Sequence, residues 1–185
     1  MTASRITVIA SVQLLGGLAL LIGYALTAVT ARTGFADWQF FLGALFGVFS
    51  CVAAVRLHRG LPNGVQLSMI VQAIQILAIT VVPSLRFVAV AGIKLRIILA
   101  STGFYWQVGF GGEFIAVPFA RDGSLGALGS ELSIFGAVAP RPLEQSSLTV
   151  AVNLAALYFL IVLYKRARRV VESVDATSTS VDRTV

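Results

Sequence analysis

The chain has 185 residues, 57% of them hydrophobic and only 12% charged, with a mean hydropathy of +0.90. A soluble domain carries about 25% charged residues, so a chain this poor in charge cannot cover its own surface in water, and lipid is the expected solvent. The net charge of +6 sits beside apolar stretches, which argues against a nucleic-acid-binding face and reads instead as the positive-inside signal of membrane proteins.

Four stretches lack any charged side chain: Ile6 to Ala31, Trp38 to Val55, Val65 to Leu85 and Gln145 to Tyr164. About 20 helical residues cross a hydrocarbon core of roughly 30 Å. The expected fold is therefore a membrane all-α bundle of four transmembrane helices, with a small extracytoplasmic β-rich segment between the third and fourth.

The first span follows Arg5 and carries one amide, Gln13. Its apolar run is far longer than the roughly 7–15 residues of a signal-peptide core, so it reads as a retained helix. The second span holds Gly43 and Gly47, a GxxxG pair that lets two helix backbones approach closely, within the chain or between copies. Its Cys51 is the chain's one cysteine, which rules out an internal disulfide and reads as apolar filler. Arg56, His58 and Arg59 follow, and then Leu61-Pro62-Asn63-Gly64, a turn that predicts a tight helical hairpin into the third span.

Ser68, Gln72 and Gln75 share one face of that third helix. An amide facing lipid leaves its donors unsatisfied, so these residues, with Gln13 and with Asn153 of the fourth span, should point inward and bond neighbouring helices. Pro83 is expected to kink or end the third span.

From residue 86 the period changes. Phe87, Ala89, Ala91, Ile93, Leu95, Ile97 and Leu99 occupy one parity and Lys94 and Arg96 the other, which is a strand pattern. Ser101-Thr102-Gly103 reads as a turn and Gly111-Gly112 as a hairpin, predicting a three-stranded meander outside the membrane, with a further strand at Glu131 to Phe135. After the fourth span, Lys165, Arg166, Arg168 and Arg169 form a topology anchor at the lipid headgroups. Together with the other basic flanks they predict both termini in the cytoplasm. The polar tail 170–185 is expected to be disordered.

The spans contain no Asp, Glu, Lys, Arg or His, which argues against a proton-driven pump. His58 is the only histidine, too few donors for a zinc or haem site. No serine has a basic partner at depth. No catalytic, cofactor-binding or metal residue is assigned. The expectation is a non-enzymatic multi-pass protein, an assembly or sensing subunit whose contacts are the bilayer and a second copy or another membrane protein. The alternative is a pore or carrier for a neutral solute or ion, lined by Gln72, Gln75 and Asn153. The dominance of arginine over lysine suggests a GC-rich bacterial genome, and hence the bacterial inner membrane.

Overall fold

A computed structural model describes residues 3–30, 38–81, 85–100, 103–118 and 148–181. The described residues form four helices and four strands in the order α1 (Ala3–Thr30), α2 (Trp38–His58), α3 (Gly64–Ile76), β1 (Leu77–Val81), β2 (Leu85–Ala100), β3 (Gly103–Pro118), β4 (Leu148–Asn153) and α4 (Leu154–Val181). The loop 31–37, Pro83, the Ser101-Thr102 turn and the expected strand at Glu131 to Phe135 lie outside the described residues.

The first two helices follow the apolar runs closely. Stretches Ser4–Leu26 of α1 and Phe41–His58 of α2 are long and apolar enough to cross a membrane. Arg56 and His58 end α2, where cations complement the negative end of the helix dipole. A short turn then reverses the chain. Asn63 adopts the left-handed conformation (φ 63°), which asparagine tolerates better than most residues, and the Arg56 guanidinium donates to the Pro62 carbonyl at 3.0 and 3.3 Å.

The third and fourth spans depart from the expected helices. The third was expected as a helix over 65–85, but α3 stops at Ile76 and Leu77 is already extended (φ −104°, ψ 135°). The next residues, Leu77-Ala78-Ile79-Thr80-Val81, include three β-branched side chains, which restrict χ1 in a helix and pack well on a pleated surface. The fourth was expected as a helix over 145–164, but Leu148–Asn153 is strand β4, again rich in β-branched residues. Helix α4 starts only at Leu154 and continues to Val181, through most of the tail expected to be disordered. The all-α bundle is thus corrected to four helices, two of them long and apolar, joined to a sheet, with α3 running directly into β1 and β4 directly into α4.

All pairings in the sheet are antiparallel, in the order β1-β4-β2-β3 with a further pairing of β1 to β2. Strands β2 and β3 pair along their whole length, from Leu85 opposite Pro118 to Ala100 opposite Gly103. Gly111-Gly112 therefore sits inside β3, opposite Gly92 and Ala91, and not at the hairpin turn expected there. On its other edge β2 meets β1 at residues 85–87 and β4 at residues 96–100, while β1 and β4 also pair with each other. Three mutually antiparallel strands cannot lie flat, because β4, antiparallel to β1, would then run parallel to β2. The two ends of β2 must point in widely different directions. Gly92 lies between them with φ +130°, a conformation open to glycine and strained for other residues.

Helix α1 packs against both layers through adjacent glycines. A Cβ on Gly17 would lie 2.8 Å from Cys51 Sγ and 3.0 Å from the Gly47 carbonyl of α2. A Cβ on Gly16 would fall on the backbone of Ala91 and Gly92 in β2. Further along α1, a Cβ on Gly112 of β3 would lie 2.5 Å from Leu20 Cβ. The sheet thus packs beside the middle of α1, and is not displaced beyond the helix ends. Two buried clusters flank this crossing. One joins Ile6, Ile9 and Ala10 of α1 to Leu57 of α2 and to Phe159, Val162 and Leu163 of α4. The other joins Leu20 and Tyr24 to Phe46, Ala53 and Val71, and to Ala89 and Ala91 of β2.

Candidate functional site

The described interior is organised around buried amides in two groups. In the helical group, Gln13 of α1 donates from Nε2 to the Ser50 carbonyl of α2, and the Ser50 hydroxyl donates back to the Gln13 carbonyl, both at 3.2 Å. Gln72 of α3 donates from Nε2 to Gln13 Oε1 at 3.1 Å, and Ser68 donates to the Ala53 carbonyl at 3.3 Å. Gln13, Ser50, Ser68 and Gln72 are all fully or almost fully buried. Three helices are pinned through side chains that would otherwise strand polar atoms in an apolar interior.

The second group sits at the bend of β2. Between residues 88 and 95 the inner edge of β2 has no strand partner among the described residues, because β1 and β4 reach only its two ends. Alternate residues turn their backbone groups to the same edge. At this edge the Ala91 N–H donates to Gln75 Oε1 at 2.9 Å, Asn153 Nδ2 donates to the Ile93 carbonyl at 3.1 Å, and the Leu95 N–H donates to Asn153 Oδ1 at 3.2 Å. Gln75 comes from the last turn of α3 and Asn153 from the last position of β4. Each stands where the chain changes between helix and strand. Asn153 also caps α4, its Oδ1 accepting from the Ala155 N–H at 3.2 Å. Two side-chain amides therefore replace a missing length of strand. Gln75 Nε2 is buried and has no hydrogen-bond partner among the described residues.

The glycine pair of α2 serves contacts inside the chain. Gly47 faces Leu21 and Gly17 of α1, and the ring and hydroxyl of Tyr24 fill the space beside Gly43. Gly16, Gly17, Gly92 and Gly112 act in the same way and were not singled out from sequence as contact residues. The adjacent glycines in the middle of a long apolar run were the available signal. The Ser50 hydroxyl is committed to the Gln13 carbonyl.

The hairpin buries its charged parity: Lys94 and Arg96 are 2% and 7% exposed. The opposite parity is uncovered at the far end: Leu99 is 59%, Phe104 63% and Trp106 49% exposed, and Leu95 and Val108 are also exposed. Register places Leu95 opposite Val108, Ile97 opposite Trp106 and Leu99 opposite Phe104, so these six make one continuous apolar face. The sheet is inside out relative to a solvated one.

Of the basic residues in α4, Lys165, Arg168 and Arg169 are exposed and Arg166 is half-buried. Arg168 meets Glu172 at 2.8 Å one helical turn on, an exposed pair of a kind that contributes little to stability. Among the described residues no group of three or more His, Cys, Asp or Glu is placed to hold a metal ion. No protein-family model, curated protein or solved structure matches the chain.

Proposed function

We propose that this chain is a multi-pass integral membrane protein that works through contacts and not through catalysis, as an assembly or sensing subunit of a membrane complex, with both termini in the cytoplasm. The inverted hairpin carries the reading. In water, burying Lys94 and Arg96 while exposing Leu99, Phe104 and Trp106 is unfavourable on both counts. In hydrocarbon both preferences reverse.

The helices support the same solvent. Val8, Leu15, Leu18, Ile22 and Leu26 form an exposed stripe on α1, whose buried side holds Gln13. Phe41, Leu45, Val48 and Val52 form another on α2, and only 39% of that helix's apolar stretch is buried inside the molecule. A core helix of a soluble protein buries most of its length.

On this reading the third and fourth crossings are composite. At about 1.5 Å per helical residue and 3.3 Å per extended one, α3 with β1 has a contour of roughly 36 Å, as does β4 with α4 up to Tyr164. Extended backbone is tolerated at membrane depth only where protein covers it. Gln75 and Asn153 provide that cover at the bend. Apart from Gln75 Nε2, these amides bond one another and backbone, which favours a packing role over a pore lining.

Two measurements test the proposal. The protein in native membranes should resist carbonate extraction and need detergent to stay dispersed; a folded, detergent-free monomer defeats the membrane reading. Crosslinking in those membranes should trap a discrete larger species, and a strictly monomeric product defeats the subunit reading.

A further inference from the structure

The packing gathers three separate basic segments at one end of the molecule. Ile6, Leu57 and Leu163 lie in one buried cluster. Arg5 directly precedes the first of them and is exposed. Arg56, His58 and Arg59 flank the second, and the turn fixed by Arg56 and Pro62 keeps them at the end of α2. Lys165 and Arg166 follow the third, with Arg168 and Arg169 one turn further along the same helix. Half of the chain's 14 lysines and arginines belong to these segments. The acids that follow them in α4 are Glu172, already bonded to Arg168, and Asp175.

We infer that this end is a composite docking surface for anionic phospholipid headgroups, built by α1, α2 and α4 together. The argument is charge complementarity at a fixed depth. The apolar stripes of α1 and α2 run up to these residues, so the cations stand at the level where lipid phosphates lie. Arginine forks bind phosphate oxygens in pairs, while lysine supplies a point charge. A topology signal requires only that basic residues follow a span. The convergence of three segments on one cluster goes further, because one headgroup layer can then meet cations from several helices at once. The inference rests on the membrane reading above.

The test uses the full chain, extracted in neutral detergent and stripped of lipid, then offered phosphatidylglycerol and phosphatidylcholine in equal amounts. Bound lipid is counted by native mass spectrometry. The wild type should retain phosphatidylglycerol in at least tenfold preference. Each lost charge should lower that preference by up to about fivefold. The K165Q/R166Q/R168Q/R169Q variant and the R5Q/R59Q variant should each reduce it, and their combination should abolish it. Raising NaCl from 0.1 to 1 M should weaken it in the unaltered protein, which covers the case in which a variant fails to fold.

Equal retention of the two lipids by the wild type overturns the inference. A loss confined to the α4 variant overturns the composite surface. A chain that carbonate washes from membranes defeats the underlying membrane reading; one that stays in them and shows no lipid preference defeats this inference alone.

Discussion

Between α1 and α2 each backbone satisfies itself within its own helix, and Gln13 and Ser50 only join two finished units. Around β2 the division of labour is different. There the Ala91 and Leu95 N–H groups and the Ile93 carbonyl depend on Gln75 and Asn153 for partners. The same residue type thus works as an optional link in one region and as a substitute for main chain in the other. The comparison shows why buried amides cannot be ranked by burial alone: Gln13 and Asn153 are equally hidden and serve unequal needs.

Substitutions at the glycine contacts should break the second region outright. Gly92→Val combines a left-sided φ of +130° with a Cβ 2.9 Å from Val12, and Gly16→Leu drives a side chain into the β2 backbone. Both should abolish a monodisperse folded peak in fluorescence-detected size exclusion. Gly60→Ala is the control: its φ is +65° with open space around it, so it should lower stability by only about 1 kcal/mol and leave the peak intact.

The next largest effect is expected at Asn153→Ala. It removes three hydrogen bonds and leaves backbone groups of β2 and α4 without partners, at about 1–3 kcal/mol for each buried group that stays unsatisfied. Gln72→Leu removes one side-chain bond between helices, for which about 0.6 kcal/mol is typical and about 1.7 an upper value. Thermal melts in one detergent should therefore rank Asn153→Ala well below Gln72→Leu. Equal losses would erase the distinction between the two regions.

The smallest effect is expected on the outer sheet face. Leu99→Cys and Phe104→Cys, made in a Cys51→Ala background, should change the melting temperature little, because both side chains are exposed. Their labelling should separate solvents: in intact membranes a maleimide should react with neither, because the thiolate does not form in hydrocarbon, and both should react once the protein is denatured in detergent. Rapid labelling in intact membranes would return the hairpin to water.

Much of this architecture was legible in the residues, and the failures share one cause. Apolar length located α1 and α2 because those runs carry no competing signal. The same length masked Ile79-Thr80-Val81 and Thr149-Val150, where β-branched residues argued for strand inside runs that also satisfied a span. Neither run could reveal that its partner lay in the other. The alternation along residues 86–100 is a strand in the structure, but alternation alone does not say which face is covered, and here the charged one is buried. The bend at Gly92 had no sequence signal beyond the glycine itself, because it follows from β1 and β4 competing for the two ends of one strand.

That competition also sets an order of events. β1 is synthesised with α3, but one of its two partners, β4, belongs to a segment that leaves the ribosome only after the whole β2–β3 hairpin. During that interval the Leu77–Val81 edge is open to any passing strand. A nascent chain arrested before residue 148 should be the form most dependent on a chaperone or insertase, and the one most ready to pair with a wrong neighbour.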